Sequence, residues 1–319
     1  MVQTIKVKFC GFGENFTVDA FPFKELLSSK YDLQISDNPD YVFYTPVDSE
    51  HHNYDCIRIF MTGENLIPNF NYCDYAIGFS TLSFDDRYIR LPLWAYSKGI
   101  AKRAEERPNM FSKQDALNRL FCATVISNAT QTDGMREKMF ETLSTYKPVA
   151  SGGKWRNSVG GPVPDKLKFQ SGYKFCLCAE NTYAPGYTTE KLLEAFASGC
   201  IPIYYGDPLA IQDFNPKAFV NMHDYPNTDA LMARVKEIDT NNELYWSMMQ
   251  EPTFLSGTMD KYSDEKIFAF FDHIFSQPLD RAKRRFYFKP YQDFDYRNFK
   301  LRDIKLILKY FLLKSFKKK

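Results

Sequence analysis

Residues 173–208 read YKFCLCAENTYAPGYTTEKLLEAFASGCIPIYYGDP, and the order of residue types in this stretch decides the fold. Tyr173–Ala179 is an apolar, β-prone run. Glu180-Asn181-Thr182 and Tyr183–Tyr187 form a polar loop broken by Pro185 and Gly186. Thr188 or Thr189 can cap a helix, because a hydroxyl accepts from the amides that a first turn leaves without partners. Leu192, Leu193 and Phe196 give that helix one apolar face, and Gly199 suits the left-handed position just past its end. Ile201–Tyr205 is a second apolar strand, stopped by Gly206-Asp207-Pro208. Strand, helix and strand at this spacing make a βαβ unit, whose crossover leaves the loop at the carboxyl edge of a parallel sheet. Ligands bind in that crevice, and Glu180, Asn181, Tyr187, Glu190 and Lys191 crowd it.

Ile5–Phe9 alternates as an opening strand followed by Gly11-Phe12-Gly13; without a third glycine or a following acidic residue, such a GxG is more often a turn than a phosphate loop. Lys24–Ser29 is a short helix, and Tyr41–Tyr44, Cys56–Met61 and Asp74–Phe79 are strands of an α/β sheet. Glu64 directly follows a strand end. That position points into the crevice where a general base must stand, although a solvated turn is the commoner outcome for Gly63-Glu64-Asn65. Ser97–Lys113 is charged and weakly periodic, which predicts a surface loop with a short helix. Arg119–Ser127 is a strand ending at Asn128, and Asp133 caps a helix to about Tyr146 with Arg136 in its first turn. A guanidinium beside free helix amides suits an anion; a solvated helix face suits Arg136 equally well on sequence alone. Gly, Ser and Pro accumulate over 145–161, which predicts a domain border there. The domains expected are 1–148, 149–280 and a tail, 281–319.

At 319 residues the chain can bury a substantial core, and aromatics are abundant at 29 Phe and 21 Tyr. Seven Cys without metal-type spacing predict buried thiols, and four His that cluster only at His51-His52 give zinc little support. The first residues lack the apolar run of a signal peptide, and no window supplies the roughly eighteen apolar residues of a spanning helix. The net charge of +2 hides an asymmetry: residues 281–319 hold 14 Lys/Arg against three Asp, a net of +11, so residues 1–280 carry −9. An acidic body argues against nucleic acid. In the tail, Arg302, Lys305 and Lys309 share one face of a helix from about Leu301 to Phe316, with Ile304, Ile307, Leu308 and Phe311 largely opposite. This predicts an interfacial helix on an anionic membrane; docking on the protein's own body is the alternative.

Glu-Asn-Thr, a short loop, Tyr-x-Thr-Glu-Lys, an apolar helix, Ile-Pro-Ile-Tyr and Gly-x-Pro together resemble the signature of the α-1,3-fucosyltransferases of glycosyltransferase family 10, the bacterial ones especially. It departs at Ala179, where relatives often carry Phe, and at Thr188, where Val or Ile is common. Thr62-Gly63-Glu64-Asn65, Pro68–Asn71, Asp74–Phe79, Asp85–Tyr88 and Leu91–Leu93 resemble the N-terminal block of the bacterial members.

The resemblance implies a GT-B fold, two Rossmann-like domains facing a central cleft, the first binding acceptor and the second GDP-fucose. It implies inverting transfer of L-fucose to the GlcNAc O3 of N-acetyllactosamine-type acceptors, giving Lewis x-like products. Glu64 is then the base and Glu190 binds donor hydroxyls and steadies the charged sugar. Lys191 and Arg136 hold the diphosphate, while Asn181 and Tyr187 line the pocket. Arg156, Asn128 and Glu180 are further candidates. Two cations make a metal unnecessary, leaving room for stimulation by Mn²⁺ or Mg²⁺. A cytoplasmic enzyme, peripheral on the inner membrane face, is expected. Another GT-B nucleotide-sugar transferase, or a non-catalytic membrane-associated sugar-binding protein, are the alternatives.

Overall fold

A computed structural model describes residues 2–13, 15–127 and 132–285. Asn128, and the helix expected from Leu301 to Phe316 within residues 286–319, lie outside the described residues. The first sheet is wholly parallel. It contains β1 (Gln3–Cys10), β2 (Tyr31–Ile35), β3 (Tyr41–Tyr44), β4 (Ile57–Met61), β5 (Tyr75–Gly78) and β6 (Tyr88–Arg90), in the order β2-β1-β3-β4-β5-β6. Strands β3 and β4 are buried on both faces, as central strands of a covered parallel sheet must be. The short helix α1 (Lys24–Leu27) lies where expected. Strands β2 and β6 were not legible, being short edge strands with polar residues.

The second sheet is also parallel and contains β7 (Leu120–Thr124), β8 (Val149–Ser151), β9 (Tyr173–Ala179), β10 (Ile201–Tyr205) and β11 (Val220–Asn221), in the order β11-β10-β9-β7-β8. Around it stand α4 (Met135–Ser144), α5 (Lys166–Ser171), α6 (Glu190–Ala197), α7 (Thr228–Thr240) and α8 (Asn242–Gln250). The border expected at 148–149 is therefore displaced. β7 pairs with β9, Leu120 opposite Tyr173 and Cys122 opposite Phe175, so the change of sheet falls between Arg90 and Leu120. Two of the glycines that suggested a linker, Gly152 and Gly153, serve close packing instead: a methyl on Gly153 would stand 1.9 Å from the Ile126 carbonyl oxygen.

The connection between the sheets holds α2 (Lys98–Glu105), the short helix expected within Ser97–Lys113, and α3 (Lys113–Leu117); Arg107, where a surface loop was expected, is buried. Ala101 and Ala104 are buried, and Arg103 Nε donates to the Ala197 carbonyl at 2.8 Å, binding α2 to the end of α6.

After α9 (Thr258–Lys261) the chain returns to the first sheet. Helix α10 (Asp264–Phe275) inserts Phe271, Ile274 and Phe275 among Phe21, Phe23, Tyr31, Tyr41 and Phe43. Beyond α11 (Leu279–Ala282), Arg285 is buried in an ion pair with buried Asp74. The Asp74 carboxylate also accepts the backbone amides of Arg284 and Arg285, each at 2.7 Å, and of Arg58 at 2.8 Å. Residues 264–280, expected with the second domain, thus complete the first, because their aromatic face has its partners there. All seven cysteines are free thiols. Among the described residues no helix is long and apolar enough to cross a membrane.

Candidate active site

Helix α6 begins at the carboxyl end of β9, as the βαβ pattern predicts, and closes as predicted. Gly199 takes φ of +73°, its amide donates to Phe196 at 2.8 Å, and that of Cys200 donates to Ala195 at 3.0 Å. Its start differs. Thr189 is the N-cap but its hydroxyl makes no capping bond. The Thr189 hydroxyl and amide both turn to Glu180, at 2.9 and 2.8 Å to Oε1. Glu180 is wholly buried, and its Oε2 accepts Lys191 Nζ at 2.9 Å. Glu180 thus braces Thr189 and Lys191 at the start of α6. A carboxylate removed from water needs these partners.

Lys191 also donates to the Thr189 hydroxyl at 2.8 Å and lies 3.5 Å from Glu190. Burial works against its charge, but Glu180 and Glu190 outweigh it and hold the ammonium above its ordinary value. Glu190 is partly open to solvent. Burial pushes its carboxyl up, yet Lys191, its own helix amide and Lys166 outweigh that and hold it below the usual range. An ionised carboxylate and a charged ammonium thus stand side by side at the start of α6.

Arg136 and Asn181 meet: Arg136 Nη2 donates to Asn181 Oδ1 at 2.7 Å and to the Ala179 carbonyl at 2.9 Å. The arginine is 1 % exposed, so it braces residues 179–181 from beneath. Arg156 is not brought to this cluster. It pairs with Glu141 at 2.5 Å and stacks on Phe140 and Trp155, on the outer side of α4.

Glu64 is exposed in the turn after β4, at the carboxyl edge of the first sheet. That edge faces the loop between β9 and α6. Tyr187 Oη donates to the Gly63 carbonyl at 3.2 Å, and Asn65 Nδ2 donates to Thr182 Oγ1 at 3.1 Å. The Tyr187 ring packs against Phe79 with centroids 5.0 Å apart. Burial, with Glu180 and Glu64 nearby, keeps its hydroxyl protonated as a donor. Gly186, at φ of +87°, lets the two halves approach: a methyl there would lie 2.8 Å from the Phe79 carbonyl oxygen. The carboxyl edges of the two sheets therefore meet at one cleft, with Glu64 on one wall and Glu190-Lys191 on the other.

Two aspartates organise this loop in a way the sequence does not announce. Asp207 is wholly buried; Oδ1 accepts the Gly186 amide and Oδ2 the Thr188 hydroxyl, each at 2.7 Å. Gly206-Asp207-Pro208 signalled only a turn. Asp133, expected to cap α4, stands one residue before the cap, which is Gly134 at φ of +85°; its Oδ1 accepts the Met135 amide at 3.1 Å. Its other oxygen accepts the Tyr183 amide at 2.9 Å and Tyr205 Oη at 2.6 Å, which no local pattern announces.

Comparison with known proteins agrees with this geometry. Residues 7–97 match the model of the alpha-(1,3)-fucosyltransferase FucT N-terminal domain, and residues 116–256 that of the glycosyltransferase family 10 (fucosyltransferase) C-terminal region. These two matches also divide the chain between Arg90 and Leu120, as the sheets do. The chain is 37 % identical over 291 residues to the alpha-(1,3)-fucosyltransferase FucT of Helicobacter pylori, covering 78 % of this chain and 60 % of that one. It thus spans less than two thirds of that relative's length. A crystal structure of an alpha1,3-fucosyltransferase superimposes with a TM-score of 0.78 at 32 % identity, covering 90 % of this chain and 94 % of that one. One solved with GDP-fucose gives 0.74 at 32 % identity, covering 87 % and 92 %. With two parallel sheets facing one cleft in the GT-B manner and both halves of the family signature in place, this chain belongs to the fucosyltransferases of glycosyltransferase family 10.

Proposed function

We propose that this protein transfers L-fucose from GDP-fucose to the GlcNAc O3 of N-acetyllactosamine-type acceptors with inversion. The observation that carries this reading is the division of the site. The turn holding Glu64 is hydrogen-bonded across the cleft to the loop that leads into Glu190-Lys191. The complex of a similar enzyme with GDP-fucose supports the donor.

In this reading Glu64 takes the acceptor hydroxyl proton as that oxygen attacks the anomeric carbon. The bond to the β-phosphate oxygen breaks on the opposite face, its electron pair leaving with GDP. Glu190, ionised beside Lys191, orients donor hydroxyls and offsets positive charge developing on the ring. Lys191 has donors beyond those given to Glu180 and Thr189, and these face the diphosphate with the amides of the α6 N-terminus. Arg136 adds charge beneath Asn181 and fixes that side chain. Two cations and a helix start supply the stabilisation that a metal would otherwise give, so no metal is required. The tail, residues 281–319, carries the contact with anionic lipid, and the enzyme works at the inner face of the membrane.

The test is product formation from a panel of GDP- and UDP-sugars with purified protein. Glu64→Gln should lower turnover with GDP-fucose by about a thousandfold or more while GDP binding by calorimetry persists. Turnover near wild type in that variant removes Glu64 from the role, and preference for a UDP-sugar overturns the donor. Deleting residues 301–319 should release the protein from anionic vesicles with activity on a soluble acceptor kept; retention on vesicles overturns the membrane contact.

A further inference from the structure

His223 lies just past the carboxyl end of β11, in the same edge that carries the candidate site. Its ring contacts two tyrosines, 5.4 Å from Tyr183 edge-on at 77° and 5.4 Å from Tyr205 at 34°. The ring hydrogen-bonds to the backbone of Gly206, while Nε2 is buried with no hydrogen-bond partner among the described residues. Burial pushes the imidazole below its ordinary value, so the ring is neutral. With the proton on the nitrogen facing Gly206, Nε2 presents a lone pair. A buried acceptor with no donor opposes folding and calls for a reason.

The surroundings suggest one. Tyr183 is 54 % exposed, sits on the loop between β9 and α6, and meets the His223 ring edge-on. Asp133 holds both neighbours, through the Tyr183 amide and Tyr205 Oη. The Asp133 amide donates to the Asn181 carbonyl at 3.2 Å, which joins this aromatic slot to Arg136 and the rest of the cluster. Two aromatic walls and an inward acceptor suit a planar heterocycle with its sugar.

We propose that His223 recognises the nucleoside half of the donor: Tyr183 swings off the ring, and Nε2 accepts a hydrogen bond from the purine 2-amino group or the ribose 2′-hydroxyl. Tyr183 is then a movable cover, and the unpartnered nitrogen is satisfied only in the complex. This rests on the GDP-fucose reading above, and the two fail differently.

The experiment is calorimetry with GDP, inosine diphosphate (no 2-amino group) and 2′-deoxy-GDP, on wild type and His223→Phe. The variant keeps a flat ring and loses the acceptor. It should bind GDP about tenfold more weakly, with kcat at saturating GDP-fucose unchanged. One analogue should show the same loss on wild type and no further loss on the variant. Should His223→Phe melt early, His223→Gln, which restores an acceptor oxygen, should fold and recover part of the affinity. Equal GDP affinity in wild type and a folded variant overturns the proposal alone. Losses that simply add for both analogues overturn it too. No GDP binding by wild type overturns the donor assignment as well.

Discussion

Lys191 has two tasks that pull its mutants in different directions. It neutralises Glu180, a carboxylate with no exposure, and it is the cation nearest the proposed diphosphate. Breaking a buried pair costs about 3–5 kcal/mol, whereas replacing both partners with neutral groups can cost little. Lys191→Met should therefore lose stability and donor affinity together. Adding Glu180→Gln should restore most of the melting temperature but none of the GDP affinity. Recovery of both in the double variant would show that Lys191 only balances Glu180. A second residue-scale expectation concerns His51, stacked on Tyr44 at 4.0 Å, whose imidazole burial pushes down to about 3 from an ordinary 6.5. The unfolded chain takes up this proton below pH 6.5 and the native one does not until about pH 3. Stability is thus whole above the unfolded value and falls with pH through that window, by about 1.4 kcal/mol per unit. His52 shifts in the same direction. Urea midpoints at pH 7 and 5 should separate for wild type and draw together in His51→Phe; a wild-type midpoint independent of pH would mean that the ring charges in the native state.

The loop from Glu180 to Thr189 is an element without regular structure, held at one end by Glu180 and at the other by Asp207. Its approach to the first sheet depends on Gly186. Gly186→Ala meets both a left-handed backbone and the Phe79 carbonyl, whereas Gly160→Ala meets the backbone strain alone, with φ of +86° and nothing within 4 Å of a new methyl. Gly160→Ala should cost about 1 kcal/mol and leave kinetics alone. Gly186→Ala should cost more and lower kcat/KM, because the wall bearing Glu64 is pushed away. Equal effects of the two would mean that the cleft does not close through this contact. The βαβ element itself was legible because strand, helix and glycine cap are written in local periodicity. The pins on its loop were not. Glu180, Asp133 and Asp207 act on partners brought near by pairing of strands, and as single residues each looks like an ordinary turn or cap.

At the scale of the whole molecule, parallel α/β structure followed from the strand patterns and two facing domains from the family resemblance, and Glu64 lies after a strand of the first sheet and Lys191 at a helix start of the second. The border was not legible, since Gly152 and Gly153 look like a flexible joint when read in order but serve close packing in space. Nor was the return of α10, whose apolar face could have covered either sheet. A chain ending at Arg285 should melt as a single cooperative unit. One ending at Lys261 should aggregate or bind apolar dyes, because Phe21, Tyr31, Tyr41 and Phe43 lose Phe271 and Phe275. Cooperative melting of the shorter chain would show the first sheet to be complete without α10.

That return also orders events on the ribosome. The strands of the first sheet emerge first, yet Asp74 waits for Arg285 and the aromatic floor waits for α10. At about 5–20 residues per second, roughly nine seconds or more separate β6 from α10. During that interval the amino-terminal half carries a bare aromatic face, so this chain depends on holding factors or on swift completion in a way that two self-contained domains would not.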